Sequence, residues 1–299
     1  MINVFYKILK KANHLFHPII GEIWCLHRVV ASRSLFKSNR DLEITPSYLE
    51  SLIVDYRSKG YNFVDIDSIF QNLSKYNNKK SINISFDDGF KDIYQFAYPI
   101  FKKHNVPFTI YLTTDFPNKK IFLWWMILEE IVLKNDRLTL SDGTVYLCTT
   151  DKEKQTTFET ILSSIYSSNI NMPTYFKQVF DNYLDNFSDY NKHLTLNWTE
   201  LNEMLDSGLC TLGSHSVSHY ALTKLNREQI KFELYNSKKI IEEETGRLVQ
   251  HFSYPHSFCN DEVVALVKQS EYKTAVLGYG GKIRYRDDKF LLKRVCITE

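Results

Sequence analysis

The chain has 299 residues, enough for one large α/β domain or two small ones with ample core either way. Its 37 basic and 35 acidic residues leave a net charge of +2, so no global field calls for nucleic acid. With 43% hydrophobic and 24% charged residues it has the composition of an ordinary globular protein. Aromatic residues reach 14%, which fits either a sugar-stacking surface or a core built from rings. The five cysteines (Cys25, Cys148, Cys210, Cys259, Cys296) are widely spaced with no CxxC. That spacing argues against a disulfide framework or a structural zinc site and for a reducing compartment.

Residues 1–40 hold seven Lys/Arg against one acid, Glu22. The basic, partly apolar start VFYKILKKANHLF suits an anionic membrane surface or a solvated first helix. No apolar h-region follows it, so a cytoplasmic location is expected. EIWCLHRVV (22–30) reads as a first strand. Thr45-Pro46 is a helix start, with a cap residue and Pro at the first helical position, and Gly60 stops that helix. A short strand at 61–65, a helix at 66–75 and a polar turn at 77–80 lead into SINISFDDGF (81–90). There Ile82, Ile84 and Phe86 alternate with Asn83 and Ser85, and the strand ends on two adjacent carboxylates, Asp87 and Asp88, before Gly89.

A helix at 91–104 and a strand at 106–113 continue the alternation. Residues 114–200 interrupt it with the IFLWWMIL run, a hairpin pattern around Asp142-Gly143, and helices at 151–168 and 173–186. This segment reads as an insertion on a single domain. A helix at 199–207, a strand at 209–214, a long helix at 227–245 opened by Asn226 and Gln229, HFSYP (251–255), a helix at 260–270 and strands at 272–278 and 290–297 complete the chain. The βαβ rhythm implies parallel strands and a distorted (β/α) barrel of about seven strands, with chemistry at the C-terminal strand ends.

Two motifs meet on that face. Asp87-Asp88 repel and are costly to bury unless something positive holds them. GSHSVSH (213–219) follows another strand, and on one turn of helix His215 and His219 would point the same way. Two His and one carboxylate form the ligand set of a catalytic zinc-type site with a position open for water. Adjacent side chains at a strand end point to opposite sides, so one Asp can bind metal while the other handles protons.

FDDG, HSxxH and FSYP in this order resemble the polysaccharide deacetylases (the NodB-homology, carbohydrate esterase family 4 group). The resemblance covers most of 22–297. It implies Asp87 as base, with Asp88, His215 and His219 as ligands of a divalent metal, commonly Zn2+ and in some members Co2+, Ni2+ or Fe2+. It also implies a backbone N–H at Tyr254 for the oxyanion, with the Tyr254 ring and Pro255 lining the groove and His256 touching substrate. The motif's usual arginine is absent. Arg294, on the last strand, resembles an arginine that relatives carry there and is the candidate to orient Asp87. The C-terminal LxxH of the family is missing too, but WCLHRVV resembles the segment that opens circularly permuted members, which makes His27 the candidate general acid. Trp124 and Trp125 are either sugar-stacking rings or part of a buried amphipathic run.

The function implied is removal of acetyl from an N-acetylated amino sugar during bacterial surface-glycan assembly. The substrate would be a nucleotide- or lipid-linked precursor or an oligosaccharide. A hydrolase of another amide or ester, or a carbohydrate-binding barrel without activity, are the alternatives.

Overall fold

All eight residues of the strand Ser81–Asp88 are buried, as a strand covered on both faces requires. Its Ile82, Ile84 and Phe86 pack outward against Ile53, Ile93 and Phe101. Asn83, Ser85 and Asp87 form the opposite row, facing the bore of a barrel: Thr109 Oγ1 and the Trp24 carbonyl of the two adjacent strands bond Asn83 and Ser85 Oγ, and Arg294 reaches Asp87 from a strand that is not a neighbour. The computed structural model describes residues 18–73, 80–186 and 193–299. The basic start VFYKILKKANHLF and all of the 77–80 turn except Lys80 therefore lie outside the described residues.

Seven strands close this barrel: β1 (Ile19–Leu26), β2 (Ser81–Asp88), β3 (Phe108–Leu112), β4 (Cys210–Ser214), β5 (His251–Ser253), β6 (Thr274–Gly280) and β7 (Leu292–Cys296). Each pairs in parallel with the next, and β1 closes the ring by pairing with both β2 and β7. The expected distorted (β/α) barrel of about seven strands is thus present, in strictly sequential order. Its outer helices include α1 (Pro46–Ser58), α2 (Ile66–Asn72) and α3 (Tyr98–His104). Thr45 caps α1 by accepting from the Tyr48 N–H, as its sequence implies.

Several bounds differ from those read in the sequence. β1 ends at Leu26; Arg28–Val29 turns away to pair with Glu43–Ile44 in a separate two-stranded sheet. The strand expected at 61–65 shrinks to Asn62–Phe63, which borders only the start of β2. The helix expected at 91–104 opens with π turns over Ile93–Ala97 before α3. Pro99 explains this, because it has no N–H for the Gln95 carbonyl and its ring crowds that position.

The insertion contributes α4 (Trp124–Lys134), the hairpin Arg137–Thr139 with Val145–Leu147, α5 (Asp151–Ser167) and α6 (Met172–Val179). Trp124, Ile127, Ile131, Phe158, Ile161 and Phe176 give it a core of its own. Phe36 and Ala221 join that core and tie it to the barrel loops. Where the chain returns, Leu196 N–H donates to the Gly89 carbonyl and Lys119 Nζ donates to both the Thr195 and Leu196 carbonyls. The helices α7 (Trp198–Asp206), α8 (Arg227–Thr245) and α9 (Asp261–Gln269) complete the outer layer, with α8 opened by the Asn226/Gln229 capping box. Among the described residues no helix is long and apolar enough to cross a membrane.

Candidate active site

The DDG turn is built so that the two carboxylates diverge. Asp87 stays in the strand row that faces the bore. Asp88 takes φ = 76°, a left-handed conformation that Asp tolerates better than most residues, and this swings its carboxylate onto the C-terminal face. Gly89 follows at φ = 122°, and a Cβ there would come within 2.6 Å of the Leu112 side chain. Gly213 has a similar role in β4, since a Cβ would meet the Tyr111 ring at 2.5 Å.

Arg294 crosses the bore from β7. Its side chain is fully buried, and its guanidinium donates to Asp87 Oδ1 at 2.8 Å and Oδ2 at 2.5 Å. It also donates to Ser85 Oγ, Ser253 Oγ and the Leu277 carbonyl, so every direction of the fork is engaged. Ser253 Oγ donates in turn to Asp87 Oδ2 at 3.2 Å. Ser253 belongs to the FSYP motif, and its small side chain leaves the space that Arg294 fills. Burial pushes the Asp87 carboxyl up, but the charge and hydrogen bonds of Arg294 outweigh it and hold the group well below the usual carboxylate range.

His215 and His219 do not share a helical turn. Residues 215–219 form a loop in which Ser216 (φ 69°) and His219 (φ 57°) are left-handed. Glu233 of α8 holds this loop: its Oε2 accepts from the Val217 N–H at 2.8 Å and the Ser218 N–H at 3.0 Å, while the Ser218 hydroxyl donates to its other oxygen. Glu233 lies in the buried row Ile230, Glu233, Leu234, Ser237, Ile241. A carboxylate inside an apolar helical stripe was the signal in the sequence that something there needed an acceptor.

Asp115 packs near this clamp, its N–H donating to the Val217 carbonyl. Burial first, and then the Glu233 charge, push its carboxyl up to about 6. An acid raised in this way favours the folded state only while protonated, so its ionisation costs stability as pH rises from about 4, the unfolded value, through about 6. Asp115→Asn is therefore expected to raise Tm by an amount that grows between these pH values and levels off above them. Calorimetric melts across that range check it; a gain of equal size at every pH would contradict it.

Asp88, His215 and His219 offer ligand atoms that all lie within 4.8 Å of one another. His219 Nε2 stands 3.2 Å and His215 Nε2 3.7 Å from Asp88 Oδ1. His215 Nδ1 donates to the Ser253 carbonyl at 2.8 Å, which leaves Nε2 with a free lone pair. Burial lowers both imidazoles, so they are neutral, and Asp88 Oδ1 is buried with no hydrogen-bond partner. Burial and the Asp87 charge push Asp88 well up. An orphaned carboxylate oxygen facing two neutral imidazoles fits a divalent cation. A second cluster, Cys25, His27 and Asp87, fits one poorly, because burial pushes the Cys25 thiol well up and Arg294 already grips Asp87.

His27 lies just past β1, with a ring nitrogen within 4.8 Å of an Asp87 oxygen. Burial lowers it to about 4 against the pull of Asp87, so at rest it is a neutral imidazole rather than a loaded acid. Tyr254 lines the cleft as expected, but its polar groups are engaged elsewhere. The Tyr254 N–H already donates to the Val276 carbonyl at 3.2 Å, and its ring is buried with the hydroxyl donating to the Phe290 carbonyl. Pro255 is buried as well. The next residue, His256, lies in the cleft at φ = 56°, its ring centroid 4.4 Å from that of His219. Its N–H has no acceptor among the described residues. Likewise Trp124 is 1% exposed inside the insertion core, and it is Trp125, one position on, that lines the cleft. A helical period decides this: Trp124, Ile127, Leu128 and Ile131 form the buried stripe.

The cleft above these groups measures about 260 Å³. Besides the motif residues it is lined by Arg28, Asn39 and Glu43 from the loop after β1 and by Trp125, Glu129 and Tyr166 from the insertion. Apart from Arg28 in WCLHRVV and Trp125 in the IFLWWMIL run, no sequence motif marks these.

The fold recurs in solved structures. A deacetylase from Streptococcus pyogenes, PplD in complex with acetate, superposes with a TM-score of 0.64 at 17% identity, over 93% of this chain and 92% of that one. IcaB from Ammonifex degensii gives 0.63 at 16% identity, over 94% and 92%. A de-N-acetylase from Aggregatibacter actinomycetemcomitans gives 0.60 at 16%, over 93% and 95%. No curated relative matches at the level of sequence. A family model described as polysaccharide deacetylase matches residues 74–275, a span that holds both carboxylates, both histidines and FSYP. With about two thirds of its length in that match, the chain belongs to the polysaccharide deacetylase family.

Proposed function

We propose that the chain is a metal-dependent N-deacetylase that releases acetate from an N-acetylated amino sugar in surface-glycan assembly. The observation that carries this reading is the pairing of two unlike carboxylates. Asp88 is orphaned before two neutral imidazoles, and Asp87 is clamped and oriented beside it. Asp88, His215 and His219 would hold a divalent ion, zinc by the chemistry of that donor set, which would supply Lewis acidity for the acetamide carbonyl and lower the pKa of a water.

Asp87 takes the proton of the attacking water, with its lone pair aimed by the Arg294 fork and by Ser253. The unpaired N–H of His256, rather than that of Tyr254, is the donor available to the developing oxyanion. His27, neutral at rest and within reach of Asp87, receives the proton from Asp87 and passes it to the departing amine. Acetate and the free amino sugar leave. The occupied Asp87–Arg294 clamp also supports an active site over a degenerate carbohydrate-binding barrel, because the absent motif arginine is, with the missing LxxH, one of the two arguments for the latter.

Stripping the protein with a chelator is expected to stop acetate release, and Zn2+ or Co2+ to restore it. Elemental analysis should find about one zinc per chain in the parent and none retained by Asp88→Ala. Undiminished turnover of the stripped protein, or stoichiometric zinc on Asp88→Ala, would overturn the reading.

A further inference from the structure

The chain beyond β3 holds one edge of the loop that carries the two histidines. Thr113 Oγ1 donates to the His215 carbonyl at 3.0 Å, the Thr114 N–H to the Ser216 carbonyl at 3.2 Å and the Asp115 N–H to the Val217 carbonyl at 2.9 Å. Past Val217 this support ends. The His219 N–H turns back to Ser216 Oγ at 3.1 Å, and both of these residues are left-handed. His215 is aimed through its own ring, by the Nδ1 bond to the Ser253 carbonyl. Apart from Asp88, no carbonyl or carboxylate among the described residues meets the His219 ring, so its direction comes from the backbone before it.

α8 supplies what β3 does not. Its Ser237 Oγ lies 2.7 Å from the Oγ of Ser214, the residue just before His215. One turn earlier, Glu233 takes the Val217 and Ser218 N–H groups on one oxygen and the Ser218 hydroxyl on the other, and Ser218 just precedes His219. Each imidazole thus follows directly on a residue tied to one face of α8. Packing alone does not ask for a carboxylate at 233. Ile230, Leu234 and Ile241 share its stripe, and Glu233 is only 4% exposed. Among the described residues its carboxylate is met by those three loop donors and by no cation. A buried charge without a counter-ion is costly, and an apolar side chain of similar size would suit the stripe better.

We propose that Glu233 is a positioning residue for the metal. By fixing the Val217–Ser218 peptide it holds His219 in ligating geometry before any ion arrives. The ion then enters a preformed cradle, and its affinity is not reduced by the ordering of residues 216–219. What the role needs is one oxygen, at the reach of a Glu side chain, that accepts two N–H groups; the negative charge is incidental to it. This rests on the reading of Asp88, His215 and His219 as metal ligands, but ion affinity is measured without substrate and so is separable from the deacetylase chemistry.

The test uses the full chain stripped with a chelator and titrated with Zn2+ and with Co2+, whose absorption spectrum reports the ligand geometry. Glu233→Met fills the space but offers the two N–H groups no oxygen, and is expected to weaken both ions by about 10–100-fold. Glu233→Asp keeps the charge but is one methylene too short, and should weaken them in the same direction. Glu233→Gln keeps an oxygen for both N–H groups and turns its amide to the Ser218 hydroxyl. It should stay within about threefold of the parent and keep the parent's Co2+ spectrum, well short of the loss that a displaced ligand brings. If Glu233→Met fails to fold, the Asp and Gln variants decide. Zinc binding by the Met or Asp variant as tight as the parent's, or by the Gln variant as weak as theirs, overturns the positioning role. If the variants rank as expected but the parent releases no acetate from any N-acetylated sugar, the positioning role stands and the proposed function falls. If the parent releases acetate and all variants bind zinc alike, the reverse holds.

Discussion

Asp87→Asn is expected to cut acetate release by about 10²–10⁴-fold, the usual contribution of a positioned general base. The argument is geometric. Both Asp87 oxygens already accept from Arg294, and Oδ2 also accepts from Ser253, so the carboxylate cannot rotate away from the bore. An amide in its place keeps the size but offers one acceptor, and turns an NH2 group towards a guanidinium. The variant loses its base and also leaves one buried donor facing another, for which a further stability loss of about 1–3 kcal/mol is expected. The metal ligands are untouched, so zinc content should equal that of the parent. Initial rates on an N-acetylated oligosaccharide, read with metal analysis of the same sample, check the pair of outcomes. Turnover within threefold of the parent would remove Asp87 from the proton transfer.

The barrel and the two motif clusters were legible because each rests on a local signal. The alternation in 81–86 forces a two-sided strand, and the βαβ spacing forces parallel neighbours. Arg294 could be nominated only through likeness to relatives, since nothing near LLKRV says that its guanidinium crosses a barrel to a residue more than 200 positions earlier. The helical reading of HxxxH failed for a related reason. Four-residue spacing is shared by helices and by tight loops, and what selects the loop here is a distant buried acceptor, Glu233. Trp124 illustrates a third limit. Its neighbour Trp125 faces the cleft, and a shift of one position is the difference between core and site. Trp125 of α4 could be singled out in the sequence, but the walls from 38–43 and α5 were out of reach, because they converge only through tertiary packing.

Arg294→Met is expected to cost about 3–5 kcal/mol of folding stability, the penalty for stranding one member of a buried ion pair. Arg294 is 0% and Asp87 3% exposed, so a stranded carboxylate recovers little hydration. The pH dependence gives the experiment its sign. In the parent, Asp87 is depressed below its unfolded value of about 3.9, so it stabilises the fold above that pH and the contribution fades as pH falls through the folded value. Without the guanidinium, burial is the dominant influence on Asp87 and raises it. Its ionisation then costs stability as pH rises above about 4. The gap between parent and variant should therefore be widest near pH 7 and narrow towards pH 4.5. Urea melts of the chelated proteins at those two pH values measure it, and Arg294→Lys, which keeps one charge but loses the two-pronged grip, should fall between them. A gap below about 1 kcal/mol at neutral pH, the scale of an exposed pair, or one of equal width at both pH values, would mean that Asp87 does not depend on Arg294.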